Sequence, residues 1–374
     1  MAGVGGRERG GEASDGPLVL AVNPGAGSTK LALFRGEEQV AEEVVHHPEE
    51  ELARLARVAD QLALRLAAAR DFVTRAAGGE RLAAAVGRGG LLGPVPAGTL
   101  RVTDEMAGEL LAAPRGEHAS NLGAPLALAL ARDHGCPAFT VDPVSVDELE
   151  PAARVTGLAG VERRSFVHAL NIRAVARRHA RAAGRPLEDL RLVVAHLGTG
   201  VSLAALARGR MVDVVNPQDE GPFSGDRAGG VPVTAVVEMC FAPGAERGAL
   251  RRRLFGDGGL FSLLGTRDVR EALRRARAGE APAALALEAM ALQIAKSVGA
   301  LAAALGGAVD AILLTGGMAH LPEVVDPIRR RVEWIAPVAV FPGEDEMRAL
   351  AEGALRVLRG EEEALAYRPT PRPA

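Results

Sequence analysis

The sequence predicts an α/β protein built from two similar halves that face each other. Short apolar runs alternate with helical stretches along the chain, the pattern of mixed layers. A strand–glycine turn–strand device occurs over residues 18–34 and again over 190–207, which points to duplicated domains. The 374 residues suffice for two separate cores.

In chain order, residues 1–17 form a polar, glycine-rich tail without the apolar core of a signal peptide. The first device follows, with apolar runs 18–22 and 31–34 around Asn23, Pro24, Gly25, Ala26, Gly27, Ser28, Thr29 and Lys30. Its glycines admit close approach, and turn N–H groups, hydroxyls and a cation suit a phosphate. It is not a P-loop, because G-x-x-x-x-G-K-[ST] is absent. Leu52, Leu55, Ala59, Leu62 and Leu66 repeat at helical spacing. Residues 82–86 read as a strand opening into Gly87-Arg88-Gly89-Gly90. Helices are expected over 103–113 and 119–134, the latter closed by Gly135, then a strand over 138–141 ending at Asp142. A basic helix over 163–183 carries His168 and stops at Gly184.

There the pattern restarts. Strand 190–197, the turn Gly198-Thr199-Gly200, and strands 201–207 and 211–215 make the second device. An irregular loop over 216–232 holds Asp219, Glu220, Asp226 and Arg227, and loops of this length are often functional. Helices follow over 233–241, 246–254, 268–278 and 283–305, and the last is too interrupted by Glu288, Gln293 and Lys296 to read as a membrane span. Strand 311–314 opens into Thr315-Gly316-Gly317; helix 322–335, strand 337–341, helix 344–358 and a frayed tail from Tyr367 complete the chain.

Composition narrows the function. A 48% hydrophobic, 24% charged chain of net charge −3 is ordinary globular protein and argues against nucleic-acid or membrane binding. Two cysteines, Cys136 and Cys240, make no disulfide framework and fit a reducing cytoplasm. The three glycine turns at 25–30, 198–200 and 316–317 each follow an apolar strand, and together they describe a nucleotide held between two domains. Two of them embrace the phosphates and the third lies by the adenosine.

The residues also carry a family resemblance. VNPGAGSTK (22–30), GRGGLL (87–92), RGEHASNLGA (115–124), VDPVSVDELE (141–150), FVHALN (166–171), AHLGTGVS (195–202), GPFS and DRAGG (within 221–230), LLTGGMAH (313–320) and FPGEDEMRALAEGALRV (341–357) resemble the butyrate kinases. These belong to the acetate and butyrate kinase family of the sugar kinase, Hsp70 and actin superfamily. The resemblance spans residues 18–360 and implies two duplicated ribonuclease H-like (actin-like ATPase) domains with a nucleotide cleft between them. It places the N-terminal domain at 18–165, with the C-terminal helix of 345–366 packed on it, and the nucleotide-binding domain at 166–344.

The implied reaction moves the γ-phosphoryl of ATP reversibly onto a short-chain carboxylate, with Mg²⁺, giving an acyl phosphate and ADP. By resemblance the catalytic residues are Arg88, Asp142, His168 and Arg227. A guanidinium fork suits a carboxylate or phosphoryl group, and surface arginines are the plain alternative. The acid is implied to meet Arg88, Gly89, Gly90, His118 and Val167. The nucleotide and its phosphates are assigned Asn23, Gly27, Ser28, Thr29, Lys30, His196, Gly198, Thr199, Gly200, Asp268, Gly316 and Gly317. Asn23, Asp142 and Glu346 are assigned to the metal, although Glu344–Glu346 also read as first-turn helix charges and Asp268 as an N-cap. A homodimer or higher homo-oligomer is implied.

The chain departs from the family in GAGSTK, in HLGTG where butyrate kinases have HLGGG, and in a shorter 216–223 loop. Acetate kinases carry bulkier residues at the positions of Gly89, Gly90 and Val167, so the small residues here predict room for a four-carbon or branched acid. Acetate and propionate kinases remain the alternative. A sugar kinase would need a pocket of hydrogen-bonding side chains, and a non-catalytic ATP-switched protein would hydrolyse ATP without forming an acyl phosphate. A dehydrogenase lacks its G-x-G-x-x-G turn.

Overall fold

The computed structural model describes residues 16–369, so most of the expected N-terminal tail lies outside the described residues. The strands are β1 (Leu18–Pro24), β2 (Ser28–Arg35), β3 (Glu38–His46), β4 (Ala84–Gly87), β5 (Thr99–Arg101), β6 (Ala138–Val141), β7 (Leu192–Leu197), β8 (Val201–Ala207), β9 (Arg210–Val215), β10 (Ala311–Gly316), β11 (Val338–Pro342) and β12 (Leu365–Ala366). They form a seven-stranded sheet, β12-β5-β6-β4-β1-β2-β3, and a five-stranded sheet, β11-β10-β7-β8-β9.

The duplication is explicit in the topology. β1, β2 and β3 run antiparallel in sequence, and β1 pairs in parallel with β4, which pairs in parallel with β6. β7, β8 and β9 repeat the antiparallel set, and β7, β10 and β11 repeat the parallel one. In both halves the continuous apolar runs are central strands covered on both faces: β1 and β7 are buried along their whole length. This is the duplicated two-sheet α/β arrangement that the sequence predicts.

Several elements differ from expectation for local reasons. β3 was not anticipated because EQVAEEVVH keeps no residue in the core and spends its charges on an exposed edge. The helix expected over 52–66 is interrupted: Arg57 turns extended, Asp60 accepts the Arg57 N–H at 3.0 Å, and the helix restarts at Leu62–Ala76. The basic helix starts only at Ala169, because Arg163 is drawn across to Asp213 and Glu220. A short helix Gly259–Leu264 was missed. Tyr367 is buried, with its hydroxyl donating to Glu109 at 2.6 Å, so the frayed tail does not begin at that residue.

Two helices bring the halves together. Ala169–Ala182 packs on β7 and β10 and also meets the last helix, Glu346–Leu358. That last helix lies against β1, β4 and β6 of the first sheet, burying Leu350, Ala354 and Leu355 with Val19, Val86 and Phe139. Gly353 is required there, since a Cβ would overlap Val141. The chain therefore leaves β11 of the second sheet and delivers Glu346 to the junction with the first. The helix Ala281–Ala304 is long and apolar enough to cross a membrane, yet it lays Met290, Ile294 and Val298 into the second core against β7 and β8.

Candidate active site

The first glycine turn is closed by the Gly25 N–H, which donates to the Ser28 carbonyl at 2.8 Å. Gly27 has open space where a Cβ would stand, and Lys30 is exposed beside it. Asn23, at the end of β1, is buried and donates to Glu346 at 2.6 Å. Thr29 was assigned to phosphate, but its hydroxyl points inward to His47 Nε2 at 2.8 Å and Arg65 at 3.0 Å. Its side chain is fully buried and does not face the cleft.

Arg88 leaves β4 at the same level. Its Nη1 lies 2.5 and 2.6 Å from the two Glu346 oxygens, so an internal carboxylate sits against its fork. Gly89 and Gly90 serve a different purpose from the one expected. A Cβ at 89 would overlap Pro143 and Thr140, and one at 90 would overlap Asn121. Val167 is 2% exposed within the core. These small residues are filled in by protein, and none of them opens room for a longer acid.

The second glycine turn supports a histidine pair. The His168 and His196 rings stack with centroids 3.9 Å apart. Ser202 Oγ is 2.8 Å from His168 Nδ1 and also accepts the His168 backbone N–H at 3.4 Å. That contact occupies Nδ1 and leaves Nε2 as the ring nitrogen turned away from Ser202. Asn171 donates to His196 Nδ1 at 2.8 Å, and His196 Nε2 stands 3.1 Å from Glu344, close but off-line for a full hydrogen bond. Gly198 is needed because a Cβ there would overlap the His196 ring. Thr199 is exposed at the tip of the turn. At Gly200 a Cβ would come within 2.5 Å of Arg227 Nη1, so the guanidinium lies directly over the turn.

Electrostatics tie these groups to one place. Burial, then His196, Arg88 and Arg227, hold the His168 pKa well below the usual imidazole range. Burial and the same two arginines lower His118, whose Nδ1 meets the Ser120 hydroxyl at 2.7 Å. Burial lowers Arg227, and Asp226, 3.9 Å away, only partly offsets it. Contact with His196 lowers Glu344 against its burial, with help from Arg88 and Lys30. A small cavity lined by Arg88, Asp142, His168, Asn171 and Glu346 joins the two halves.

The depressed His168 has a consequence for stability. Below about pH 6.5 the unfolded chain binds a proton that the native ring resists, so stability falls as pH drops through that value. His168→Gln is expected to lose part of the decline in Tm between about pH 7 and about pH 5.5. Thermal unfolding at the two pH values checks this, and an unchanged decline contradicts it.

Asp142 lines the cavity and is held by arginines. Its carboxylate is 3.0 Å from Arg173 Nε and 2.9 Å from Arg177 Nη1, and it accepts the Gly98 N–H at 2.8 Å. Burial would raise its pKa, but these partners overcome that and hold it low. With both oxygens engaged it clamps β6 to the helix Ala169–Ala182. Asp268 caps its helix through the Arg270 N–H at 2.8 Å and is exposed. Gly316, at φ 93°, lets the end of β10 press on the Leu197 backbone, and Gly317 beyond it is open.

Among the described residues no cluster of three His, Cys, Asp or Glu could cage a metal by itself. The donor set still fits Mg²⁺, which takes few protein carboxylates and completes its shell with water and phosphate oxygens. Glu346 and Asp142 line the cavity, both already engaged by arginines, and Glu344 stands nearby against His196.

Reading the sequence missed Arg65, Asn171 and Ser202. Asn171 was accessible in principle, since it follows His168 by one helical step of three and shares its face. Arg65 was signalled by a charge inside the apolar stripe of Leu62, Leu66 and Ala69. Ser202 had no signal beyond its place in a strand.

Residues 154–332 match the model of the acetokinase family. The fold is similar to that of an acetate kinase from Porphyromonas gingivalis, with a TM-score of 0.75 at 20% identity over 91% of this chain and 100% of that one. It is also similar to a propionate kinase from Francisella tularensis (TM-score 0.72, 16% identity, 90% and 98% covered). An acetate kinase from Entamoeba histolytica gives 0.73 at 15% identity, with 91% and 100% covered.

Proposed function

We propose that the protein is an ATP-dependent kinase of short-chain carboxylates. The observation that carries this is the meeting of Arg88 and His168 in one cavity between two actin-like halves, each bearing a glycine turn, with Arg227 close enough to lower both His168 and His118. The acetokinase match over residues 154–332 supports the same reading. In the reaction a carboxylate oxygen forms a bond to the γ-phosphorus while the bond from that phosphorus to the β–γ bridging oxygen breaks. ADP leaves with that electron pair, and no proton is transferred.

Arg88 presents to the acid the fork that Glu346 now meets. Arg227, desolvated over Gly200, places fixed charge against equatorial oxygens that gain negative charge in a loose transition state. His168, whose pKa is held low, presents a neutral ring there for hydrogen bonding. Magnesium bound with the nucleotide supplies neutralisation of phosphate charge, and Glu346 and Glu344 are the residues suited to hold its water shell.

A preference for butyrate or a branched four-carbon acid rests on the butyrate-kinase motifs at 115–124 and 341–357. It draws no support from Gly89, Gly90 or Val167, which face protein, and this favours keeping acetate or propionate as the second reading. One methylene in such a pocket is worth about 1–3 kcal/mol, so discrimination between neighbouring acids is expected to be modest. A hydroxamate assay with Mg-ATP and acetate, propionate, butyrate and isobutyrate is expected to give product, highest kcat/KM falling on a four-carbon acid. Acetate as the best substrate would overturn that preference, and no product with any acid would overturn the kinase. A homo-oligomer belongs to the same proposal: Val233, Val237 and Phe241 form an exposed apolar stripe on one helix, and light scattering at a monomer mass would contradict it.

A further inference from the structure

Behind the first glycine turn lies an arginine for which the transfer itself has no use. Arg65, in the helix Leu62–Ala76, is fully buried. Its Nη1 donates to the Ser28 carbonyl at 2.7 Å and to the Thr29 hydroxyl at 3.0 Å. Nη2 donates to the Ala26 carbonyl at 3.0 Å and to Gln61 at 2.8 Å, and Nε donates to Gln61 at 3.1 Å. Among the described residues no carboxylate pairs with this cation, and burial lowers its pKa without any opposing partner. A buried charge is costly; here hydrogen bonds satisfy the guanidinium but no opposite charge offsets it, so a nearby anion would be favoured.

The orientation of the turn says where that anion belongs. The Gly27 carbonyl is held by the His47 N–H at 2.9 Å, and the Ser28 carbonyl receives the Gly25 N–H as well as Arg65. Three successive carbonyls, of Ala26, Gly27 and Ser28, are thus tied, the first and third by Arg65 and the second by His47. A planar trans peptide sets each N–H opposite the preceding carbonyl, so the Gly27 N–H is aimed away from Arg65 and the Ser28 N–H away from His47. Among the described residues no acceptor takes either of them. Oriented amides with a cation behind them form an anion site.

We infer that Arg65 is a positioning residue for the terminal phosphates of the nucleotide: it fixes the turn so that Gly27 and Ser28 present their N–H groups, and its unpaired charge is balanced when those phosphates bind. The inference rests on the nucleotide reading above. It predicts a selective effect, because adenosine and the α-phosphate lie outside the reach of this turn. Its test is titration calorimetry of the full chain with ATP and AMP, run beside thermal unfolding and the hydroxamate assay.

Arg65→Met is expected to weaken ATP about tenfold while AMP changes less than about twofold. Gln61→Ala leaves the charge but frees the guanidinium, and is expected to weaken ATP about threefold with AMP unchanged. Arg65→Lys, which keeps the charge and loses the fork, is expected to fall between them. Should Arg65→Met fail to fold, the Gln61 and lysine variants decide. Equal losses for ATP and AMP, or ATP affinity unaltered in both milder variants, would overturn the inference. If that happens while the unaltered chain binds ATP and forms acyl phosphate, the kinase reading stands and only the role of Arg65 falls.

Discussion

Arg227→Ala is expected to lower kcat by about 10³-fold or more while KM for ATP changes less than about threefold. The reasoning begins with burial. The guanidinium lies over Gly200, its nearest carboxylate oxygen is 3.9 Å away on Asp226, and burial lowers its pKa. A half-buried cation kept so poorly paired interacts most strongly with a group whose negative charge grows during reaction. Ground-state nucleotide is held by other contacts, including the two glycine turns. The loss therefore falls on kcat. Steady-state kinetics with saturating acid check it, and an unchanged kcat would remove Arg227 from the site. Gly200→Ala is expected to mimic part of this loss, since the added methyl displaces the guanidinium.

Arg88→Ala is expected to reduce kcat/KM for the acid by about 10²-fold or more. Two effects are mixed in that variant, because removal of Arg88 also strips the cation from Glu346, which Asn23 alone then holds. A buried carboxylate losing its partner destabilises the fold. The double variant Arg88→Ala with Glu346→Ala separates them: it is expected to recover most of the lost Tm and none of the lost activity. Recovery of activity in the double variant would mean that Arg88 serves only to neutralise Glu346. Circular dichroism melting and the hydroxamate rate, measured on both variants, give the two readouts.

The parts of this protein legible in its sequence are those where one chemical pattern has one structural outcome. Residues 18–22 and 192–195 are apolar without interruption because β1 and β7 are covered on both faces, and such runs have nowhere else to go. The glycine turns between strands were equally plain. β3 was invisible because an edge strand rich in glutamate shows no core-facing alternation. Arg88, His168 and Arg227, far apart in sequence, lie close enough for both arginines to lower His168. Gly89 and Gly90 show the limit of composition: a missing side chain looks the same whether it makes room for a ligand or for Pro143 and Asn121. Asp142 shows another, since Arg173 and Arg177 lie more than 30 residues away and one-dimensional reading does not see that they consume its carboxylate. Thr29 shows a third, because alternation along β2 turns its hydroxyl to His47 and away from the cleft.

The central claim is that Arg88 and Arg227 flank the path of a phosphoryl group moving from ATP to a small acid. Phosphorus NMR of the full chain with Mg-ATP and butyrate follows that transfer without a trapping reagent. An acyl phosphate resonance growing one for one with ADP, and absent without the acid, is the result expected. ADP and inorganic phosphate appearing at the same rate with or without any carboxylate would contradict it.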